Sequence, residues 1–231
     1  MKLIIAKEIP AIIIITLLMV VFMVVVSKKI EKADPLAKPK GIVFLGLLFV
    51  ETIDNMVMKN MDEKAVKNFG PYIGGIAMYL LLANISGLSG FLNAPTASYS
   101  VTLSFAIITW ILIQRQAFKT SGILGYIKNL MDPIPVFFLP NLFGQIAPFI
   151  SLSIRLFGNI LSGSVIMGIV YWATGSLSNL IFSLININAS FNIFGVAIAP
   201  ILHMYFDLFA GFMQMFVFIS LTMVLIQKEK E

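Results

Sequence analysis

Long apolar runs separated by short charged loops dominate the chain, and their lengths suit membrane-crossing helices. Residues 1–27 contain one such run, and residues 71–115 contain two more. An α-helix rises about 1.5 Å per residue, so about 20 apolar residues cross the hydrocarbon core of a bilayer. The pattern therefore predicts one crossing in the first region and two in the second.

Residues 41–66 carry a more polar pattern. Their second half mixes methionine, valine and isoleucine with charged side chains such as Glu51, Asp54 and Lys59. This mixture is typical of an amphipathic helix that lies at the membrane surface rather than across it. We expect a surface helix here, and we expect Pro71 to open the crossing that follows.

Residues 133–227 form the longest apolar region, and its formal charges are Arg155 and Asp207. Two apolar segments within it, residues 133–175 and 191–227, are far longer than one crossing requires. Each segment is therefore either split into two crossings or strongly tilted in the membrane. A single hairpin of two tilted helices gives five crossings in all, and splitting both segments gives seven.

Composition agrees with a membrane protein. Hydrophobic residues make up 59% of the 231 residues and charged residues 12%, whereas soluble domains are about 25% charged. The predicted fold class is an all-α integral membrane protein, in one membrane domain with a surface helix and about five crossings, or seven if both long segments are split. The chain has no cysteine and one histidine, His203, so we expect neither a metal centre nor a cofactor.

The positions of the basic residues indicate an orientation. The net charge of +5 could suggest nucleic acid, but the lysines and arginines lie in short loops between apolar runs. That distribution is typical of a membrane protein oriented by the positive-inside rule rather than of a nucleic-acid-binding surface. We therefore expect the lipid bilayer, and not nucleic acid, as a partner. All basic loops then share the cytoplasmic face, which puts the N-terminus outside and the C-terminus inside.

Residues 1–27 resemble a signal peptide, but Glu8 interrupts the basic start and no small-residue cleavage site follows, so we expect a retained helix.

Two polar faces stand out in the longest region. On a helix, Arg155 and Asn159 of "SLSIRLFGNILSG" lie one above the other. The same face holds hydroxyl groups and small residues that let another helix approach closely. On the last segment a second face combines an imidazole, a carboxylate, an amide and two small residues: His203, Asp207, Gln214, Ala210 and Gly211.

The charges on these faces carry a cost that points to function. A charged side chain at the bilayer centre costs about 2.5–3.5 kcal/mol on insertion scales. Arg155 cannot lose its proton, whereas Asp207 can, so the first is a fixed charge and the second a switchable one. Two other readings remain open: a secondary transporter that binds an anionic substrate at Arg155, or a structural scaffold in which Arg155 and Asp207 form a buried ion pair.

At these residues the sequence resembles a known family. "SLSIRLFGNILSG" resembles the signature of the a subunit of F-type ATP synthases, and "PTASYSVTLSFAI" and "FMQMFVFISLTMVLI" look like two further stretches of that subunit. The resemblance runs from about Pro71 onward. It implies a stator proton-channel subunit that is not catalytic alone, in a hairpin of long tilted helices beside a ring of c subunits. Implied partners are the c-ring, the peripheral-stalk b subunits and the remaining synthase subunits, most naturally in a bacterial plasma membrane.

The resemblance also implies residue roles. Arg155 would face the ring carboxylate and separate two half-channels, with protons entering past Asp207. His203, Asn159 and Gln214 would assist. Four positions would contribute more weakly: Ser164, Ser162, Asn141 and Gln145.

The sequence departs from the family's pattern at several of these positions. Ser164 and Asn141 stand where glutamate is common, and Asp207 stands where histidine or glycine is common. Ser98 and Ser100 replace a common acid and amide. We therefore expect the outer acid to lie on the last segment, and the inner path to rely on water and on amides such as Asn141 and Gln145.

Overall fold

The computed structural model describes residues 8–32, 38–89, 94–185 and 191–229, and helices form the regular structure of these residues. The α-helices are α1 (Ile9–Glu31), α2 (Ile42–Asn60), α3 (Glu63–Ile85), α4 (Tyr99–Met131), α5 (Phe138–Leu184), α6 (Ile193–His203) and α7 (Ala210–Lys228), with a π-helix at Met204–Phe209 between the last two. In this part of the chain, α1, α3, α4, α5 and the α6–α7 unit are each long and apolar enough to cross a membrane. The predicted all-α integral membrane class, with five crossings, is confirmed.

Two predicted boundaries near the surface helix are wrong. The first helix extends to Glu31 rather than ending at residue 27, and residues 63–66 belong to α3 rather than to the surface helix. The cause of the second error is Asp62, whose side chain accepts a 2.7 Å hydrogen bond from the Ala65 backbone N–H and so starts a new helix. Pro71 consequently lies inside α3 and does not open it.

Helix α2 has the amphipathic character that its sequence predicts. Gly46, Ile53 and Val57 are buried against the protein, whereas Glu51 and Lys59 are exposed. The buried positions recur at helical spacing, so one face packs against the rest of the chain. Its location at a membrane surface stays a prediction.

Helix α4 continues well past the predicted end of the crossing at residue 115. Its backbone is helical to Met131 except at Gly122, where φ is 66° and ψ is 173°. Glycine adopts a positive φ without the penalty that a Cβ imposes. The break redirects the last turns of α4, and the Tyr126 ring lies 4.6 Å from the Phe118 ring across it.

Helices α5 and α6–α7 form one antiparallel hairpin. Contacts along the pair join residues whose numbers rise on one helix as they fall on the other: Gln145 with Glu229, Gly163 with Phe206, Tyr171 with His203, and Ser178 with Asn192. Helix α5 has 47 residues and is therefore about 70 Å long, more than twice the thickness of a hydrocarbon core. A helix of this length must tilt, bend or extend beyond the membrane, as the unsplit reading of this region predicts.

The core lies where α3, α5 and α7 meet. Leu80, Leu156, Phe218 and Met223 are among its fully buried side chains. Near it, the Asn84 side chain donates to the Gly211 carbonyl at 2.9 Å and accepts from the Thr96 hydroxyl at 2.9 Å. The two backbones approach so closely that a Cβ added at Gly211 would lie 2.9 Å from the Asn84 Cβ. Asn84 therefore fastens α3 to the last helix through a buried polar contact.

Replacing Asn84 by alanine is expected to destabilise the chain by about 1–3 kcal/mol, because it removes two hydrogen bonds from a buried contact and leaves the buried Thr96 hydroxyl without its acceptor. The measurement is the midpoint of thermal denaturation in detergent. Ser104→Ala is the control, since the exposed Ser104 hydroxyl donates to the Ser100 carbonyl of its own helix. Equal midpoints for the two variants would contradict the role given to Asn84.

Candidate functional site

Arg155 faces away from the body of the protein. Leu152 and Leu156 of the neighbouring positions on α5 are buried in the core, whereas the Arg155 side chain is exposed. Its Nη2 lies 3.5 Å from the Ser151 hydroxyl oxygen. Within the described residues no carboxylate lies within salt-bridge distance of Arg155. Asp207 is paired with His203 instead. The reading in which Arg155 and Asp207 are a buried packing pair is therefore wrong for this structure.

The polar groups around Arg155 are only partly satisfied. Ser162 and Ser164 donate hydrogen bonds to backbone carbonyls of their own helix, at 3.0 Å and 2.8 Å. By contrast, Asn159 Nδ2 and Gln214 Nε2 are buried without a hydrogen-bond partner among the residues that the structure describes. Buried donors are nearly always paired. These two amides therefore have unused capacity to bind water or another molecule.

A second polar cluster lies on the hairpin beyond Arg155. Tyr171 Oη is 2.8 Å from His203 Nε2, and His203 Nδ1 is 2.5 Å from Asp207 Oδ2. The side chains of His203 and Asp207 are 35% and 25% exposed on the surface of the chain. A phenol, an imidazole and a carboxylate in hydrogen-bond contact can exchange protons with one another and with water. Tyr171 was missed from the sequence, where its signal is a phenol within an apolar stretch of α5.

The π-helix changes the face on which Asp207 lies. The prediction that His203, Asp207 and Gln214 share one continuous α-helical face is wrong, because Met204–Phe209 is π-helical. The wider turn shifts the register between the residues before and after it. His203 contacts Tyr171 of α5, whereas Gly211 contacts Asn84 of α3. The imidazole–carboxylate pair and Gln214 therefore belong to separate groups.

Asn192 fixes the alignment of α6 against α5 at the closed end of the hairpin, where α5 ends and α6 begins. Its side chain accepts a 2.7 Å hydrogen bond from the Gly195 backbone N–H, which begins α6. The same side chain donates to the Thr174 hydroxyl at 2.9 Å and to the Tyr171 carbonyl at 3.3 Å. Because this cap ties α6 directly to α5, it fixes the level at which His203 meets Tyr171.

A third cluster lies at the open end of the hairpin. Gln145 Nε2 donates to Glu229 Oε1 at 3.2 Å, and Gln114 Nε2 donates to Gln145 Oε1 at 3.3 Å. The Tyr126 hydroxyl donates to Gln114 Oε1 at 2.7 Å. The predicted inner residue Gln145 thus belongs to a polar network whose other members, Gln114, Tyr126 and Glu229, were missed from the sequence.

Asn141 is placed differently from Gln145. Its amide donates to the backbone carbonyls of Leu130 and Asp132, at 3.0 Å and 3.1 Å. These contacts tie the first turn of α5 to the end of α4. The two amides proposed together from the sequence therefore do different things, and Asn141 fastens the connection between two helices.

Arg155 lies between the two clusters along α5. It follows Gln145 by 10 residues and precedes Tyr171 by 16, which corresponds to about 15 Å and about 24 Å along a helix. The antiparallel pairing puts Gln214 at about the level of Arg155. A fixed cation on an exposed helix face is thus flanked by titratable groups on both sides.

Residues 9–227 match the family model described as the ATP synthase A chain. The chain belongs to this family. The resemblance stated from the sequence motifs is thereby confirmed, and the match covers almost the whole chain. Arg155, the Tyr171, His203 and Asp207 cluster and almost all of the hairpin lie inside the matched residues, whereas Glu229 lies just beyond them.

Relatives with this name occur in several bacteria. The chain is 34% identical over 194 residues to the sodium-ion-specific ATP synthase subunit a of Propionigenium modestum, an alignment that covers 78% of this chain and 59% of that subunit. It is 35% identical over 211 residues to ATP synthase subunit a of Mycoplasma pneumoniae, covering 84% and 69%. The Mycoplasma genitalium subunit is 32% identical over 231 residues, covering 93% and 76%. The chain therefore spans less than two thirds of the Propionigenium subunit's length and somewhat more of the two mycoplasma subunits.

The register of the hairpin can be tested by cross-linking, because the chain has no cysteine of its own. A Cβ at Gly163 would lie 3.6 Å from the Phe206 Cβ, within the range of about 3.5–4.5 Å that a disulfide needs. We expect Gly163→Cys with Phe206→Cys to form an internal disulfide on mild oxidation, seen as a mobility shift and by mass spectrometry of the peptides.

Gly168→Cys with Phe206→Cys is the matched control pair. A Cβ at Gly168 would have no neighbour within 4 Å, so this pair is expected not to form the bond. Cross-linking of both pairs to the same extent would contradict the register that separates Arg155 from Asp207.

Proposed function

We propose that this chain is the stator ion-channel subunit of a rotary F-type ATP synthase. Two half-channels carry protons to and from the c-ring, and Arg155 separates them. The observation that supports this most directly is the exposed Arg155 guanidinium, which has no acidic partner in the described residues and lies between two polar clusters. Membership of the ATP synthase A chain family supports the same role.

The unpaired arginine requires a partner from outside the chain. The helix face around it is otherwise rich in exposed apolar side chains such as Ile154, Leu161 and Val165. A guanidinium left against lipid is unfavourable and cannot become neutral. A carboxylate on a neighbouring rotor removes this cost each time it arrives deprotonated. Arg155 then attracts the empty ring site and blocks protons from passing directly between the half-channels.

The Tyr171, His203 and Asp207 cluster is proposed as the outer half-channel. It lies toward the closed end of the hairpin, away from the basic residues near the ends of α4 and α7. By the positive-inside rule the closed end faces the outside. Protons would enter there, pass the imidazole–carboxylate pair, and reach the ring with help from the amides of Asn159 and Gln214. Ser162 and Ser164 would line this route.

The open end of the hairpin is proposed as the cytoplasmic side. Arg115, Lys119 and Lys128 of α4 and Lys228 of α7 lie near it. This orientation puts the N-terminus outside and the C-terminus in the cytoplasm, in a bacterial plasma membrane. The inner half-channel then begins near Gln145 and ends at Arg155.

The chain moves ions and leaves ATP chemistry to other subunits. Its proposed partners are the ring of c subunits, the peripheral-stalk b subunits and the rest of the synthase. One elementary charge that crosses 100 mV releases about 2.3 kcal/mol. The ring takes up this energy one proton at a time. Each proton stays on the ring for almost a full turn before it returns to the fixed Arg155 and can leave.

Arg155→Ala is expected to abolish ATP-driven proton pumping by the assembled complex, because the ring carboxylate loses its fixed counter-charge. Pumping is measured as quenching of a pH-sensitive dye in inverted membrane vesicles. Arg115→Ala is the matched control, since Arg115 is an exposed arginine of α4 outside the hairpin. Normal pumping by Arg155→Ala in an assembled complex would refute the proposal.

Asp207→Asn is expected to slow proton transport about 10²-fold or more, the size of effect typical of a lost acid–base group. The asparagine keeps the shape and a hydrogen-bond acceptor for His203 but cannot carry a proton. Asp54→Asn on α2 is the control and should retain the normal rate. Unchanged transport in Asp207→Asn would make Asp207 a structural residue.

A further inference from the structure

The network at the open end of the hairpin contains a carboxylate that has no assigned role. Glu229 follows the last residue of α7, and its Oε1 accepts a 3.2 Å hydrogen bond from Gln145 Nε2. Gln145 is on α5, the helix that carries Arg155. An acid supplied by the segment after α7 is therefore attached to the arginine helix, about 15 Å from Arg155 along its axis.

Two helices position this carboxylate. The Trp110 indole N–H of α4 donates to the Gln145 backbone carbonyl at 2.9 Å, and Gln114 Nε2 donates to the Gln145 side-chain oxygen at 3.3 Å. The Gly122 break folds α4 back so that the Tyr126 hydroxyl reaches Gln114 Oε1 at 2.7 Å. The side-chain oxygens of Gln114 and Gln145 each accept a hydrogen bond, and Gln145 Nε2 donates to Glu229.

Helix stability does not account for an acid at this position. A negative charge near a helix C-terminus opposes the macrodipole by about 0.3–1 kcal/mol. Gln227 of the same turn has a buried side-chain oxygen without a hydrogen-bond partner in the described residues. A carboxylate and a second free acceptor therefore lie at one end of α7, and both are suited to hydrated cations or to protonated water rather than to anions.

We propose that Glu229 is the cytoplasmic carboxylate of the inner half-channel, where the transported cation enters or leaves the path to Arg155. It supplies the acid that Asn141 does not, since Asn141 is committed to the backbone of the α4–α5 connection. Gln145 and Gln114 are positioning residues that hold the carboxylate over the open end of the hairpin. This inference rests on the proposed function of the chain.

The proposed advantage of the carboxylate is that it raises the local concentration of the transported cation. A charged group at the mouth of a low-dielectric cleft raises the concentration of the opposite charge and the rate of capture, by about 10-fold or more. During ATP-driven pumping the cytoplasmic mouth must capture cations from dilute solution. The contribution of Glu229 is therefore largest when the transported cation is scarce on that side.

The test compares Glu229→Gln with the unmodified complex in inverted vesicles, with ATP-driven transport measured over a range of external pH. Glutamine keeps an acceptor oxygen for Gln145 but removes the charge and the titratable proton. For a proton-transporting complex we expect a loss of about 10-fold at alkaline pH, which shrinks toward none at acidic pH. Glu229→Asp, which keeps the charge, should restore most of the rate.

Added Na⁺ distinguishes transport of protons from transport of sodium ions, since a carboxylate can bind either cation. If the loss in Glu229→Gln is relieved by added Na⁺ at fixed pH rather than by acid, the transported cation is sodium and the assignment of Glu229 stands. A loss that is the same at every pH and every Na⁺ concentration indicates a structural contact and overturns the inference. A normal rate under all conditions overturns it as well.

Two further variants keep this result separate from the proposed function. Glu51→Gln removes an exposed carboxylate on α2 and should leave transport unchanged at every pH. Arg155→Ala measured in the same vesicles tests the channel itself. If Arg155→Ala stops transport while Glu229→Gln does not affect it, the role of Glu229 is wrong and the channel function stands.

Discussion

The structure depends on one electrostatic constraint, the permanent charge of Arg155 on an exposed face of a long apolar helix. In the described part of the chain it has a hydroxyl neighbour at 3.5 Å and no carboxylate. A guanidinium cannot lower its cost in lipid by losing a proton. The described residues therefore leave a cation on α5 without an acidic partner, and in the proposed function a carboxylate of the ring supplies the opposite charge.

The hairpin places different polar groups on the two sides of this charge along α5. Because α5 and α6–α7 run antiparallel, residues that are distant in sequence meet at defined levels on either side of the arginine. The His203–Asp207 pair meets Tyr171 toward one end, and Glu229 meets Gln145 toward the other. Polar groups therefore lie toward both ends of the hairpin with a fixed cation between them, which is the arrangement that the proposed half-channels require.

Much of this arrangement could be predicted from the sequence, and the failures have local causes. Arg155 and Asp207 stand out because few charges lie in the apolar region. The long unbroken runs left five or seven crossings open, and the family resemblance implied the hairpin. The boundary at Asp62 was missed because a capping carboxylate resembles any other surface acid in a polar segment. The π-helical turn and the Gly122 break were missed because hydrophobic periodicity assumes a regular helix, and both depend on tertiary packing.

The two polar clusters also differ in how they hold their acid. Asp207 is bound by His203, four residues earlier in the same helical unit, and His203 in turn contacts the Tyr171 hydroxyl of α5. Glu229 is held by the Gln145 amide of α5, which in turn accepts a hydrogen bond from Gln114 of α4, and neither amide can titrate. An acid next to an imidazole can pass a proton along a chain of groups, whereas an acid held by amides exchanges its proton with water. The first arrangement suits a route through protein, and the second suits an opening to solvent.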